Sequence, residues 1–382
     1  MKKPLYLAVL VGFFACSEKD VASDSDRSVD FSYSLDTVIV DAGDEFIYLN
    51  WDLTASATSP DGSYLYNWDQ GKNSVQFINL ENLMLEKILP LEVEGPNGIG
   101  TDRVYHIYTS EDNKLVLTDT YTVAVIDFDG KKSLGFQYVN SGFKGDKLPE
   151  TMRITYQEFI SNDGKFLIAT YGDLQMNEPP SGIALFDLEK KELSLKSIPT
   201  FYEQEPYLFK YYFDGNLAGM NEADIHLMMK NDSVIFSSSV FNKVYFYQFA
   251  TDSTTSLDFQ SKYTSTRAPG NYPKQTNTYP EFMDIAKVFE QEVSYGRLFF
   301  DDQNKVYWRF AKEMDSMKGD TIQYKTVLTA FDPQFNQLHE ELLPSDFDLP
   351  DTYFAREGMI YTFLNINDEL AFVRIKPTFT YE

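Results

Sequence analysis

Between residues 53 and 90, apolar and polar positions alternate in four short runs, LTASATS, YLYNWD, VQFINL and MLEKILP, broken by PDG, GKN and ENL. Runs of this length, rich in aromatic and β-branched residues and bounded by turn residues, predict a four-stranded antiparallel meander. A lone meander leaves one face bare, so a chain that repeats the unit is expected to stack its meanders radially. The first turn, Ser59-Pro60-Asp61-Gly62, recurs as Ser161-Asn162-Asp163-Gly164. Looser versions stand at Glu111-Asp112-Asn113, Asn231-Asp232, Asp302-Gln303-Asn304 and Glu357-Gly358. Each introduces a strand-like run, and the registers are roughly fifty to seventy residues apart, the length of a propeller blade with its loops.

A second marker, the turn between third and fourth strands, is carried by FINLENLML, IDFDGKKSL, LFDLEKKELSL, YQFATDSTTSL and TAFDPQFNQL. The last unit lacks it: after a third strand at 369–375 too little chain remains for a fourth. At the other end, residues 31–40, FSYSLDTVIV, alternate well and belong to no unit. Pairing that orphan with the last unit removes two open sheet edges at once. The expected fold is therefore all-β, a six-bladed propeller closed by its N-terminal strand. Seven blades is the rival, because the aromatic stretch 201–213 could supply further strands.

Residues 1–15 begin with a short basic head and continue as an apolar run too short to span a bilayer, the pattern of a signal peptide. Ala15-Cys16 at its end resembles the lipobox of bacterial lipoproteins, which makes Cys16 the expected lipidation site. Residues 16–30 read as an acidic tether, and 31–382 as one propeller domain. The tether also resembles an acidic export signal, so the expected location is the outer membrane, facing either the periplasm or the cell surface.

Composition sharpens this picture. Aromatics are 16% of the chain, which suits the wedges between twisted sheets. A formal net charge of −25 excludes nucleic acid as a natural partner, and it leaves membrane contact to the lipid anchor alone. The single cysteine precludes a disulfide within the chain.

Turns between first and second and between third and fourth strands all share one end of such a fold. The long segments, 92–103, 140–153, 172–181, 200–221, 260–294 and 311–321, all fall at the other end, where ligands usually bind. Within the longest, 280–293 predicts a short helix with Phe282, Ile285 and Phe289 on one stripe, and Arg267 and Tyr272 are candidate ligand contacts. Arg103, His106, Arg309 and Arg356 are candidates near the central channel, since inward arginines in an acidic chain need anionic partners. His106 and His226 fall on innermost strands and His339 on an outer one.

No catalytic or metal motif is present, so no catalytic residue, metal ligand or cofactor is assigned; Asp-rich turns leave calcium open without an EF-type loop. The expected function is non-catalytic binding or scaffolding of a glycan, peptide or envelope protein. The alternatives are a polysaccharide lyase or hydrolase at the channel mouth, and a sensor subunit of an envelope complex.

The strings SPDGSYLYNWD, EGPNGIG at 94–100 and YGRLFFDDQNKVYWRF at 295–310 resemble the TolB-like six-bladed propeller lipoproteins of Bacteroidota, a domain of unknown function. The likeness spans about 31–376. It implies the fold and the anchor, and brings no catalytic residues with it.

Overall fold

In the computed structural model, residues 29–381 are described. The expected signal peptide at 1–15, Cys16 and nearly all of the tether at 16–30 lie outside them. The described chain is all-β, with six sheets of four or five strands and one smaller three-stranded sheet. In chain order the sheets span 56–90 (sheet 1), 106–137 (sheet 2), 152–197 (sheet 3), 225–258 (sheet 4), 294–342 (sheet 5) and 353–381 (sheet 6). Each is an antiparallel meander, and a two-residue strand, Lys144–Gly145, adds to the outer edge of sheet 3 in parallel.

The orphan segment does what its alternation predicts. Val29–Ile39 lies along Glu369–Tyr381 over eleven pairs, from Val29 opposite Tyr381 to Ile39 opposite Ala371. Inward-facing Phe31 packs near His339 (4.6 Å), Phe379 (5.4 Å) and Trp308 (6.0 Å). On the other face Asp36 takes the Arg374 guanidinium bidentately, at 2.8 and 2.7 Å, and Lys376 at 2.6 Å. The Arg374 hydrogen bond holds the Asp36 carboxyl down to about 2.

Six hydrophobic clusters join the sheets to one another. Tyr66, Trp68 and Phe77 of sheet 1 meet Ile107, Leu115 and Ile126 of sheet 2; Val116 and Val125 of sheet 2 meet Leu167 and Phe186 of sheet 3. Ile168 and Ile183 of sheet 3 meet Phe236 and Tyr245 of sheet 4, whose Ile235 and Val244 meet Tyr307 and Phe331 of sheet 5. Trp308 and Phe310 of sheet 5 meet Ile360 and Ile375 of sheet 6, and Phe363 and Phe372 of sheet 6 meet Leu65 and Ile78 of sheet 1. The aromatic excess is spent here.

The recurring turn is a local hydrogen-bond device. Ser59 Oγ donates to Asp61 Oδ1 (2.5 Å) and accepts from Tyr64 N (2.9 Å); Ser161 does the same with Asp163 (2.7 Å) and Phe166 (2.9 Å). Gly62 and Gly164 take left-handed φ of 72° and 70°. A Cβ on Gly164 would sit 2.6 Å from Ser110 Cβ, so the glycine also lets the turn rest on sheet 2.

Neighbouring turns touch. Thr109 Oγ1 donates to Thr58 O (2.7 Å), Glu111 N to Asn162 O (3.0 Å), Lys230 Nζ to Pro333 O (2.6 Å), and Asn304 Nδ2 to Gly358 O (3.1 Å). Arg356 belongs to this set and not to a ligand site. Its Nε donates to Gly62 O (2.7 Å) and Nη1 to Glu357 (3.0 Å), tying sheet 6 to sheet 1.

First-to-second and third-to-fourth strand turns are two to five residues long, whereas the connections between sheets run from ten to 35. The elaboration is one-sided, as expected, with two corrections. Residues 311–321 are not a loop, because Val306–Lys318 and Thr321–Phe331 pair as one long hairpin. The stretch 201–213 makes no further four-stranded unit. It forms a 3-10 helix, Pro199–Tyr207, and a strand, Phe209–Phe213, central to the small sheet with Asn216–Asn221 and Gln275–Thr276. The helix, Tyr279–Gln291, is capped by Thr278 and lays Phe282 and Phe289 on Phe209 of that sheet, at 5.6 and 6.2 Å.

Candidate functional site

The first strands of all six sheets line one shared cavity of about 760 Å³. Its wall follows a register that the turns set. Five residues before the first residue of five of the six turns stand Thr54, His106, His226, Arg297 and Thr352, in or just before the first strands of their sheets, and all five line the cavity. Three residues before the turn stand Ser56, Tyr108, Glu158, Met228, Phe299 and Phe354, one from each sheet, and all six line it. Period-2 alternation puts both levels on the inward face. The level nearer the long connections holds hydroxyls and bases; the lower one is mostly apolar with a single acid.

Arg297 is set by sheet 6. Its guanidinium stacks over the Tyr353 ring (4.7 Å) and Nη2 donates to Tyr353 O, while its main-chain N donates to Tyr353 Oη (3.1 Å). This approach needs Gly296, because a Cβ there would meet Tyr353 Oη at 2.4 Å. No carboxylate pairs with Arg297 among the described residues, and its charge reaches Tyr108, His226 and Tyr353. His226 places Nε2 3.2 Å from Tyr295 O. Burial pushes both His226 and His106 below the usual imidazole range.

Glu158 is the acid of the lower level. Its Oε1 accepts from Tyr138 Oη (2.5 Å), and its main-chain carbonyl accepts from Tyr108 Oη (3.1 Å). Oε2 has no hydrogen bond of good geometry. Burial pushes the carboxyl up to about 7, against the pull of Tyr138 and the nearby Thr118 hydroxyl.

Of the six expected ligand contacts, only His106 reaches this cavity. Arg103 is exposed on the connection before sheet 2. Arg309 is buried between sheets 4 and 5, among Tyr295 (4.9 Å), Phe331 (5.2 Å) and Phe259 (5.6 Å), with Nη2 donating to Asn242 and burial lowering its pKa to about 10. Arg267 lies over Phe241 (4.9 Å) and donates from Nε to Tyr207 Oη (3.0 Å). Tyr272 donates to Glu292 and packs near Phe209 (5.5 Å). Those contacts hold the large insertion in place. Arg297, Glu158, Tyr108 and Tyr353 carry no local motif, although the register counted back from each turn puts the first three on the wall.

The end with the long connections has its own character. Of eight exposed aromatics among the described residues, seven (Phe46, Trp51, Tyr121, Tyr202, Phe213, Tyr263 and Tyr279) sit on connections or second-to-third-strand turns at that end, and only Phe300 does not. Phe46 is held out by buried polar residues beneath it: Gln76 Nε2 donates to Phe46 O (2.6 Å), and Asn67 Nδ2 to Tyr48 O (2.7 Å). Trp51 stands on a left-handed turn in which Trp51, Asp52 and Leu53 have φ of 50°, 49° and 60°. Such backbone costs about 1–2 kcal/mol per residue, and buried Leu53 clamps it.

Together these features define a large all-β chain in which the first strands of six meander sheets line a base-bearing cavity. The chain belongs to the family described as Domain of unknown function (DUF4221), which matches residues 28–342. It is similar to the crystal structure of a DUF4221 member from Bacteroides vulgatus, at 15% identity, 92% of this chain, 99% of that one and a TM-score of 0.67. More distant likenesses are to a Bacteroides fragilis protein described as a candidate exported protein (9% identity, 92% and 95% covered, TM-score 0.49) and to the β-propeller domain of Myceliophteria thermophila Cps50 (8%, 90% and 98%, 0.39). Only the first is close enough to bear on the fold. No curated protein matches the chain.

Proposed function

We propose that the six sheets are blades of one six-bladed β-propeller, and that the protein is a lipid-anchored envelope module of the TolB-like kind. Its looped end would bind a glycan, peptide or envelope protein without catalysis. The architecture is supported by six core clusters that pass from sheet to sheet and back to the first, and by the cavity common to all six. The binding role rests on one observation, the gathering of seven of eight exposed aromatics at the looped end. Flat rings held by a rigid scaffold stack on sugars and peptide side chains at little entropic cost.

The strand Val29–Ile39 begins at the short-turn end, so the chain enters the fold on the side away from that surface. Replacing Cys16 with alanine is expected to move the protein from the membrane to the soluble fraction; retention in the membrane counts against the anchor.

The binding test is a combined variant, Phe46→Ser, Trp51→Ser, Tyr121→Ser and Tyr202→Ser. It is expected to keep its melting temperature within a few degrees. In co-sedimentation with envelope polysaccharide and peptidoglycan it is expected to lose tenfold or more of the wild-type binding. Equal retention by both proteins, or none by the wild type, removes the reading.

A second reading, a polysaccharide lyase or hydrolase at the cavity mouth, draws support from Glu158, Tyr108, His106 and Arg297, which line the same cavity from three sheets. It requires new reducing ends or unsaturated sugars when polysaccharide is incubated with the wild type.

A further inference from the structure

We infer that the upper level of the central cavity is a binding site for a small carboxylate-bearing ligand, anchored by Arg297. This site is separate from the aromatic end and does not depend on a partner being bound there.

The chain carries 58 carboxylates against 33 lysines and arginines. Yet the five residues that line the upper level, Thr54, His106, His226, Arg297 and Thr352, include no acid, and every titratable group among them is basic. A wall drawn from so acidic a chain would ordinarily pair an inward arginine with aspartate or glutamate. Here Arg297 meets only the ring and carbonyl of Tyr353 among the described residues. Stacking and the carbonyl contact fix the guanidinium plane, while donors beyond that one bond remain to be satisfied. A planar fork held in advance suits a carboxylate, which accepts two parallel hydrogen bonds from it.

Charge selects the ligand further. Both imidazoles are held toward the neutral form by burial, and the charge of exposed Asp224 opposes this only in part for His226. The upper level therefore carries about one positive charge, enough for a monoanion and too little for a phosphate dianion in a half-enclosed site. Neutral imidazoles and the two threonine hydroxyls can donate to or accept from hydroxyl or amide groups on the rest of the ligand. The apolar level beneath, with Met228, Phe299 and Phe354, offers a floor. The cavity's 760 Å³ lies within the range of ordinary small-molecule sites.

The test uses the whole soluble chain and three probes by calorimetric titration: D-glucuronate, acetate, and D-glucose as the neutral counterpart of glucuronate. Inorganic phosphate is run in parallel. Wild type is expected to bind glucuronate and acetate at millimolar concentration or tighter and to ignore glucose. Arg297→Gln is expected to weaken both carboxylates at least tenfold, with Arg297→Lys, which keeps charge without the fork, in between. A crystal soaked with glucuronate is expected to show its carboxylate on Arg297, a readout that survives if a variant proves unstable.

No binding of either carboxylate, equal binding of glucose, phosphate binding tighter than both, or unchanged affinity in Arg297→Gln would each overturn the site. The aromatic-end variant is expected to bind glucuronate normally, which separates this result from the fate of the surface reading.

Discussion

Deleting residues 1–39 is expected to abolish the soluble monomer. The described part of that segment supplies eleven paired residues to sheet 6 and the packing of Phe31 and Tyr33 against Trp308 and Phe379. Val38 is removed with it from the cluster between sheets 6 and 1. Half-buried apolar side chains of this size contribute about 1–2 kcal/mol each, so three of them with the backbone ladder approach the ~5–15 kcal/mol by which whole domains are stable. The edge left behind, Glu369–Tyr381, is thirteen residues long and would template pairing between copies.

The measurement is size-exclusion chromatography with circular dichroism on the truncated chain. The expected result is aggregate or unfolded material, and a folded monomer melting within a few degrees of wild type would contradict it. Asp36→Ala provides a graded control. Asp36 is partly exposed, so losing its bonds to Arg374 and Lys376 is expected to cost about 1 kcal/mol, with solvent screening most of the pair. Because its folded pKa lies below the unfolded value, that increment is present above pH ~4 and is lost as pH falls toward 2.

The sheets were legible in the sequence because turn chemistry and period-2 alternation are local. Ser59-Pro60-Asp61-Gly62 and Ser161-Asn162-Asp163-Gly164 announce themselves by residues that bond within five positions of each other. The N-terminal strand was legible by accounting: one unit lacked a strand and one strand lacked a unit. The cavity was much less so. Arg356 and Arg309 look alike in sequence, yet one clamps a neighbouring turn through Gly62 and the other lies among aromatic rings between sheets. Which of these an arginine does depends on strand order within a sheet. A first-strand residue three or five positions before the turn faces the cavity, whereas Arg356, the last of its strand, clamps the neighbouring turn and a second-strand residue such as Arg309 can be sealed between sheets. Arg267 and Tyr272 likewise sit on an insertion whose partners, Tyr207 and Glu292, are 60 and 20 positions away. What sequence does contain is the register counted from each turn, and Glu158 follows from it.

That residue carries the second large effect. Glu158→Gln is expected to remove the part of the wild type's weakening at rising pH that this carboxyl causes. Burial raises the folded pKa of Glu158 to about 7, above an unfolded value near 4.5. The protonated carboxyl is thus the form the fold prefers, and its contribution is fully present below pH ~4.5. As pH rises through 7 the group must ionise inside the wall, near Asp119, whose charge raises the pKa further. Two and a half units correspond to about 3 kcal/mol lost by the wild type.

The amide of glutamine keeps an oxygen for the Tyr138 hydroxyl and never ionises. Tyr138 and Tyr108, both pushed above the ordinary phenol range, stay neutral throughout. Urea denaturation at pH 5 and pH 8.5 is the check. The two proteins are expected to match within about 1 kcal/mol at pH 5, with the variant more stable by roughly 2–3 kcal/mol at pH 8.5. The comparison is made between variant and wild type because general repulsion in so acidic a chain affects both alike. Parallel pH profiles for the two would mean that the Glu158 carboxyl is solvated in the cavity and ionises like any surface acid.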